Sequence, residues 1–276
     1  MKPIVIATDF SKTARNAAEH AAKLAKDLSS ELILAHVWSL PVMTGETVAF
    51  PYSIDEMEES NMKRVNAEAK FIREKWNVPV KAVARLGFFN DEMNQLCKDE
   101  NAAMVVMGMG HRKGEHFFGS TTTLFTRHTQ FPVLIIPEDA DYHKIKKILL
   151  ATDLVTSHRW QELNALKELG QALKASVHLI YVSEDLESAA MHHKKDGVRI
   201  EKVLSAGADQ WHFESGEVVT AVSEEAEKLH ADLIAVVHHQ LPWYKKIFHL
   251  STTKELSFAT HLPLMVFPEH NTSIRK

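Results

Sequence analysis

One hexapeptide of this chain recurs with two of its six residues changed. Ile4–Asp9 reads IVIATD and Ile148–Asp153 reads ILLATD, so ATD recurs at 7–9 and 151–153, an offset of 151 − 7 = 144 positions. That period is far too long for a solenoid, whose repeats are a few tens of residues. Each copy leads into a helical stretch, Thr13–Leu28 and Arg159–Leu173, and then into an apolar run, LILAHV at 32–37 and VHLIYV at 177–182. Further on, Ala103–Met107 corresponds to Asp232–Val236, and FPVLIIP at 131–137 to LPLMVFP at 262–268. Five strand-like runs per half alternate with helical segments, which predicts an α/β fold with a parallel sheet and helices on both faces in each half. With 276 residues, 45% of them hydrophobic, the chain can fill two such cores. The charged segment Glu138–Lys147 reads as the linker, giving domains 1–140 and 141–276 with the boundary near Asp141.

Local signals fill in this plan. Ser11 or Thr13 can cap the first helix. Val42–Tyr52, with Pro41, Gly45 and Pro51 in or beside it, reads as a loop. Asp55–Trp76 is predicted as a long helix, with Met62, Val65, Ala69 and Ile72 at helical spacing. Val80–Leu86 is predicted as the third strand, ended by Gly87. In the second half Leu186–Ala206 reads as a helix interrupted by Gly197, with Asp209–Glu214 as the third strand. Cys97 falls inside a helical segment and reads as a packed thiol. The last strands, Val133–Ile136 and Leu264–Phe267, are apolar edges that would be aggregation-prone alone. Two copies on one chain meet at high effective concentration, so they are expected to pair as an intramolecular pseudo-dimer, with a homodimer of chains left open.

The stretch that carries chemistry is Val105–Thr122, VVMGMGHRKGEHFFGSTT. An apolar strand runs into a loop with Gly108, Gly110, Gly114 and Gly119, and Ser120, Thr121 and Thr122 open a helix. Glycine lets backbone approach a ligand, and the first N–H groups of a helix have no internal partner, so this order makes an anion cradle. In open parallel sheets, ligands sit beyond the carboxyl ends of strands where strand order reverses. If the first and fourth strands are neighbours, Asp9 faces the glycine loop and can accept from a ribose hydroxyl or a base amine. Asp9 as a simple helix cap is the alternative, and the spacing alone leaves both open.

Other chemistries fit less well. A net charge of −4 gives no basic face for nucleic acid. One cysteine excludes an intrachain disulfide framework and suits a reducing compartment. The opening MKPIVIATD meets a charge too early for a signal peptide, and no apolar run approaches the ~20 residues of a membrane span, so a soluble cytoplasmic protein is expected. GEHFFGST at 114–121 has P-loop spacing, but Ser120 stands where lysine should be. The 17 histidines include the adjacent pairs His192–His193 and His238–His239 and a group at His111, His116 and His128. Adjacent histidines in a strand point apart, so no metal site is assigned, and a metal-binding hydrolase stays the weaker alternative. The aromatic run Pro242–Tyr244 with Phe248 would fill the space of a second nucleotide, the alternative being an exposed apolar patch that docks a partner or a lipid-like ligand. No residue stands out as an efficient general base, so catalytic residues are not assigned.

These motifs together resemble the universal stress protein family in its tandem two-domain form. ATDFSKTA at 7–14 is similar to the family's opening, HV at 36–37 to the end of its second strand, and MGMGH at 107–111 with GSTT at 119–122 to its nucleotide loop. The resemblance implies Rossmann-like domains, each a five-stranded parallel sheet pairing through its last strand, in a family with an ATP-binding and a non-binding subgroup. It implies that Asp9 and Val37 contact base and ribose, that Met107, Gly108, Gly110 and His111 line the loop, and that Gly119, Ser120, Thr121 and Thr122 hold phosphates. The ligand implied is ATP or another adenine nucleotide, with room for magnesium beside it and at most slow hydrolysis. The functional expectation is a nucleotide-responsive binding or signalling module in stress adaptation, open to a protein partner, with a nucleotide-free scaffold as alternative. Two departures are plain. Gly108 to Gly119 spans 119 − 108 = 11 positions, where the family pattern has about 13. The second-half counterpart, VHHQLPWYKKIFHLSTT, has no glycine, so nucleotide is expected only in the first half.

Overall fold

The computed structural model describes residues 2–40, 53–110, 120–152, 160–182, 211–214, 218–237 and 261–268. The predicted loop at 42–52, the helix at 186–206, the aromatic run at 242–248 and Asp153 lie outside the described residues. The chain divides into two compact units, Met1–Gly108 and Met109–Lys276.

In the first unit the strands are β1 (Ile4–Ala7), β2 (Leu32–Trp38), β3 (Val80–Leu86) and β4 (Met104–Met109), the last running into the division. They lie in the order β3-β2-β1-β4. All pairs are parallel, with Ile4 opposite both Leu32 and Met104. Strand β1 is buried along its whole length, as expected of an apolar run covered on both faces. It stops at Ala7, two residues short of the end of the hexapeptide, because Thr8 and Asp9 turn their side chains to the backbone of the following turn.

Helix α1 (Lys12–Leu28) lays Ala14, Ala17, Ala18, Ala21, Ala22 and Ala25 against the core. Alanine is the strongest helix former and lets the axis lie close to the sheet. Of the two candidate caps, Ser11 takes the role, accepting the Ala14 N–H at 3.1 Å. Helix α2 (Ile54–Trp76) begins with a capping box between Ser53 and Glu56 and buries Val65, Ala69 and Ile72. Helix α3 (Phe89–Asp99) buries Met93, Leu96 and Cys97. Burial, slightly opposed by Arg85, pushes the Cys97 thiol up to about 12, so it packs as an apolar group. Right-handed crossovers put α1 and α2 on one face of the sheet, and α3, which returns the chain across β1, on the other.

In the second unit, α4 (Ser120–His128) precedes β5 (Val133–Pro137), then β6 (Lys147–Thr152), α5 (Trp160–Leu173), β7 (Ser176–Val182), β8 (Trp211–Glu214), α6 (Val218–Leu229), β9 (Leu233–Val237) and β10 (Leu264–Phe267). The strand order is β5-β10-β9-β6-β7-β8. Every pair is parallel except β10 with β5, which meet antiparallel with Met265 opposite Leu134. The two apolar last strands named in the sequence are therefore each other's partners. The Asp232 carboxylate accepts the backbone N–H groups of Lys146 and Lys147 at 2.7 and 2.9 Å, fixing where β6 begins.

Candidate functional site

The strand order of the first unit reverses at β1: the chain goes to β2 and β3 on one side, then crosses to β4 on the other. Carboxyl ends of strands flanking such a point splay apart and leave a crevice. The turn Thr8–Ser11 sits at that end. Asp9 is exposed, and its Oδ1 accepts the Ser11 N–H at 2.9 Å. This is an Asx turn, so Asp9 braces the entry to α1 while Ser11 caps it.

Phe10 has φ 65°, a left-handed backbone on a bulky residue. That conformation costs roughly 1–2 kcal/mol. It is held because the Thr8 hydroxyl accepts the Phe10 N–H at 3.0 Å, while the ring lies 4.0 Å below the Arg64 guanidinium and 4.6 Å from His36. A hydrogen bond contributes about 1 kcal/mol and a cation–π contact about 0.5–1, enough together to offset the strain. The Thr8 carbonyl only accepts, so His36 donates to it from Nδ1 at 2.8 Å, which places a hydrogen on that nitrogen.

Beneath the turn stands Glu68 of α2, its side chain 10% exposed. It accepts the Thr8 hydroxyl at 3.2 Å and lies 3.9 Å from Arg15. Burial raises its carboxyl above the ordinary range, with Asp9 adding to the rise; the Thr8 hydrogen bond, Arg15 and Arg64 pull the other way.

The residues singled out in the sequence divide between the units. Asp9, Val37, Met107 and Gly108 lie in the first, at the C-terminal ends of β1, β2 and β4. Val37 is partly exposed and Met107 buried. A Cβ on Gly108 would come 2.6 Å from the Thr13 carbonyl oxygen, so this glycine is required by the first turn of α1 whatever else approaches it. Gly110, Ser120, Thr121 and Thr122 lie in the second unit, where Ser120 opens α4, Thr121 is exposed and Thr122 buried. His111 and Gly119 fall outside the described residues. Sequence reading missed Thr8, Phe10, His36 and Glu68 as members of this edge. The repeated ATD could have pointed to Thr8, whereas Glu68 comes from a helix sixty positions away with no motif around it.

Among the described residues, no three His, Cys, Asp or Glu side chains converge as a metal site. Among them, too, no helix is long and apolar enough to cross a membrane.

Comparison with known proteins gives a consistent picture. The model of the universal stress protein family matches twice, over residues 1–137 and 144–268. A universal stress protein of Methanocaldococcus jannaschii is 25% identical over 138 residues, covering 49% of this chain and 81% of that protein. The crystal structure of a universal stress protein from Archaeoglobus fulgidus is similar with TM-score 0.71 and 17% identity, covering 97% of this chain and 98% of that one. A protein of unknown function from Pseudomonas aeruginosa is similar with TM-score 0.58 and 14% identity over 97% and 92% of the two chains. At such identities the structural likenesses establish the fold.

Proposed function

We propose, from the premise that this chain belongs to the universal stress protein family, that its first repeat binds an adenine nucleotide and that occupancy alters which protein partner it engages. The observation that carries the reading is the exposed Asp9 at the point where strand order reverses, one carboxylate oxygen engaged by the Ser11 N–H. A carboxylate accepts only, which suits a ribose hydroxyl or an adenine amino group. Val37 would lie against base and ribose, Met107, Gly108, Gly110 and His111 would border the loop, and Gly119, Ser120, Thr121 and Thr122 would take phosphates at the start of α4, with magnesium shared among them. The domain limits proposed are 1–140 and 141–276, in keeping with the two stretches the family model matches. A reducing cytoplasm suits the single, buried Cys97.

Titration calorimetry of the full chain with ATP, ADP and AMP, with and without magnesium, tests the reading. One site per chain is expected, weakened by Asp9→Ala about tenfold, as for loss of a hydrogen bond to a charged group. Absence of heat with every adenine nucleotide, or binding indifferent to Asp9→Ala, overturns it. The competing reading, a nucleotide-free scaffold, gains from Gly108, whose glycine is already accounted for by Thr13. Native mass spectrometry of the purified protein separates the two, since only the first expects carried-over nucleotide.

A further inference from the structure

Thr8 makes four hydrogen bonds at once. Its N–H donates to Ala35 and its carbonyl accepts from His36, while its hydroxyl donates to Glu68 and accepts from Phe10. The first two tie it to β2. The other two form a relay from α2 into the turn that carries Asp9. We propose that Glu68 is a positioning residue of the candidate ligand edge: its carboxylate orients the Thr8 hydroxyl, the hydroxyl holds Phe10 in its left-handed conformation, and that turn aims Asp9. The proposal rests on the nucleotide reading above only for the ligand it names.

The chemistry of the carboxylate makes the relay directional. An ionised carboxylate only accepts, so the Thr8 hydrogen must point to Glu68, leaving the oxygen lone pairs for the Phe10 N–H. A protonated Glu68 can donate into the same oxygen, compete with Phe10 and release the hydroxyl hydrogen to seek another acceptor. Packing alone does not call for a charge here, since an uncharged side chain of similar volume would fill the space at lower desolvation cost. Nor does the ion pair account for it. Arg15 is 3.9 Å away with its side chain 65% exposed, a geometry that contributes little. The charged groups around Glu68 are Asp9 on the turn, Arg15 on α1 and Arg64 on its own helix, with His36 of β2 behind Thr8. Burial lifts the Glu68 carboxyl, which brings its protonation nearer to neutral pH than for an exposed acid.

The test needs no ligand to begin with. The backbone amide resonances of Phe10 and Ser11 are followed in the full-length protein from about pH 4 to 8, a span that covers carboxylate titration. In the wild type both should move with the ionisation of Glu68. That component should vanish in Glu68→Gln and also in Thr8→Val, which removes the relay while leaving the carboxylate in place. Amides that follow Asp9 alone, or that titrate alike in the wild type and both variants, overturn the proposal. ATP is then the probe. Its affinity at neutral pH should fall about fivefold in either variant, the low end of coupling between sites, and wild-type affinity should fall on acidification in step with the amides. Coupled amides with unchanged ATP affinity in both variants overturn the positioning role. Coupled amides in a protein that binds no adenine nucleotide refute the nucleotide reading and leave the relay standing.

Discussion

Gly108 shows how a residue can be right in a motif for a reason the motif does not state. Its place in the glycine loop suggested close approach of a phosphate, yet its missing Cβ is already claimed by the Thr13 carbonyl. Gly108→Ala should therefore destabilise the unliganded protein by about 1–3 kcal/mol, the range for overpacking a tight site. Thermal unfolding in the absence of nucleotide should show a Tm lower by several degrees, and an unchanged Tm would mean that α1 yields. Glu68 makes a second prediction. An acid whose pKa is raised on folding, here above its ordinary 4.5, binds more protons folded than unfolded between the two values. Its contribution to stability is thus fullest below 4.5 and is lost as pH rises through the folded value. Glu68→Gln lacks that loss, so urea unfolding should find the variant gaining on the wild type from acid to neutral pH; the opposite trend would contradict the burial argument. Neither residue could be understood from its neighbours in sequence, because Thr13 and Glu68 meet their partners only through the fold.

Among elements, those with strong periodicity were legible. Strand β3 matches its expected span Val80–Leu86, and α2 begins one residue before the expected Asp55. The ends of the three long helices, at Leu28, Trp76 and Leu173, also fall where the sequence put them, although the usual glycine is missing. Ser29, Asn101, Lys174 and His230 all adopt positive φ just past a helix. In each case the following N–H reaches back to the carbonyl five residues earlier: Ser30 to Ala25, Ala102 to Cys97, Ala175 to Gly170 and Ala231 to Ala226. This is the Schellman ending, and it recurs after α1 and α5, and after α3 and α6, at matching places in the two repeats. Lysine gains nothing from a left-handed backbone, so Lys174→Gly should raise stability by about 0.5–1 kcal/mol, the strain released being partly offset by glycine's entropy. A lower Tm for this variant would show that the Lys174 side chain contributes more than its backbone costs. At the candidate edge, the repeated ATD pointed to Asp9 and could have pointed to Thr8, whereas Phe10 and His36 join it through contacts that no spacing rule encodes.

For the molecule as a whole, the order β3-β2-β1-β4 in the first repeat recurs as β8-β7-β6-β9 in the second. The recurring hexapeptide and the matched apolar runs after it made that duplication readable, because a buried parallel strand tolerates little besides aliphatic side chains. The antiparallel seam of β5 with β10 joins the closing strands of the two repeats, Leu264 opposite Ile135 and Val266 opposite Val133. Tm should accordingly not change over about a hundredfold dilution, in contrast to an assembly that must find its partner by mass action. A Tm that drops on dilution, read by differential scanning fluorimetry, would mean that association between chains carries the stability. Since both sides of this seam travel on one polypeptide, dilution cannot part them. Repeats fused in this way escape the symmetry that identical subunits impose, so one can keep a ligand while the other is put to different use, and uptake should trace a simple hyperbola whatever the protein concentration.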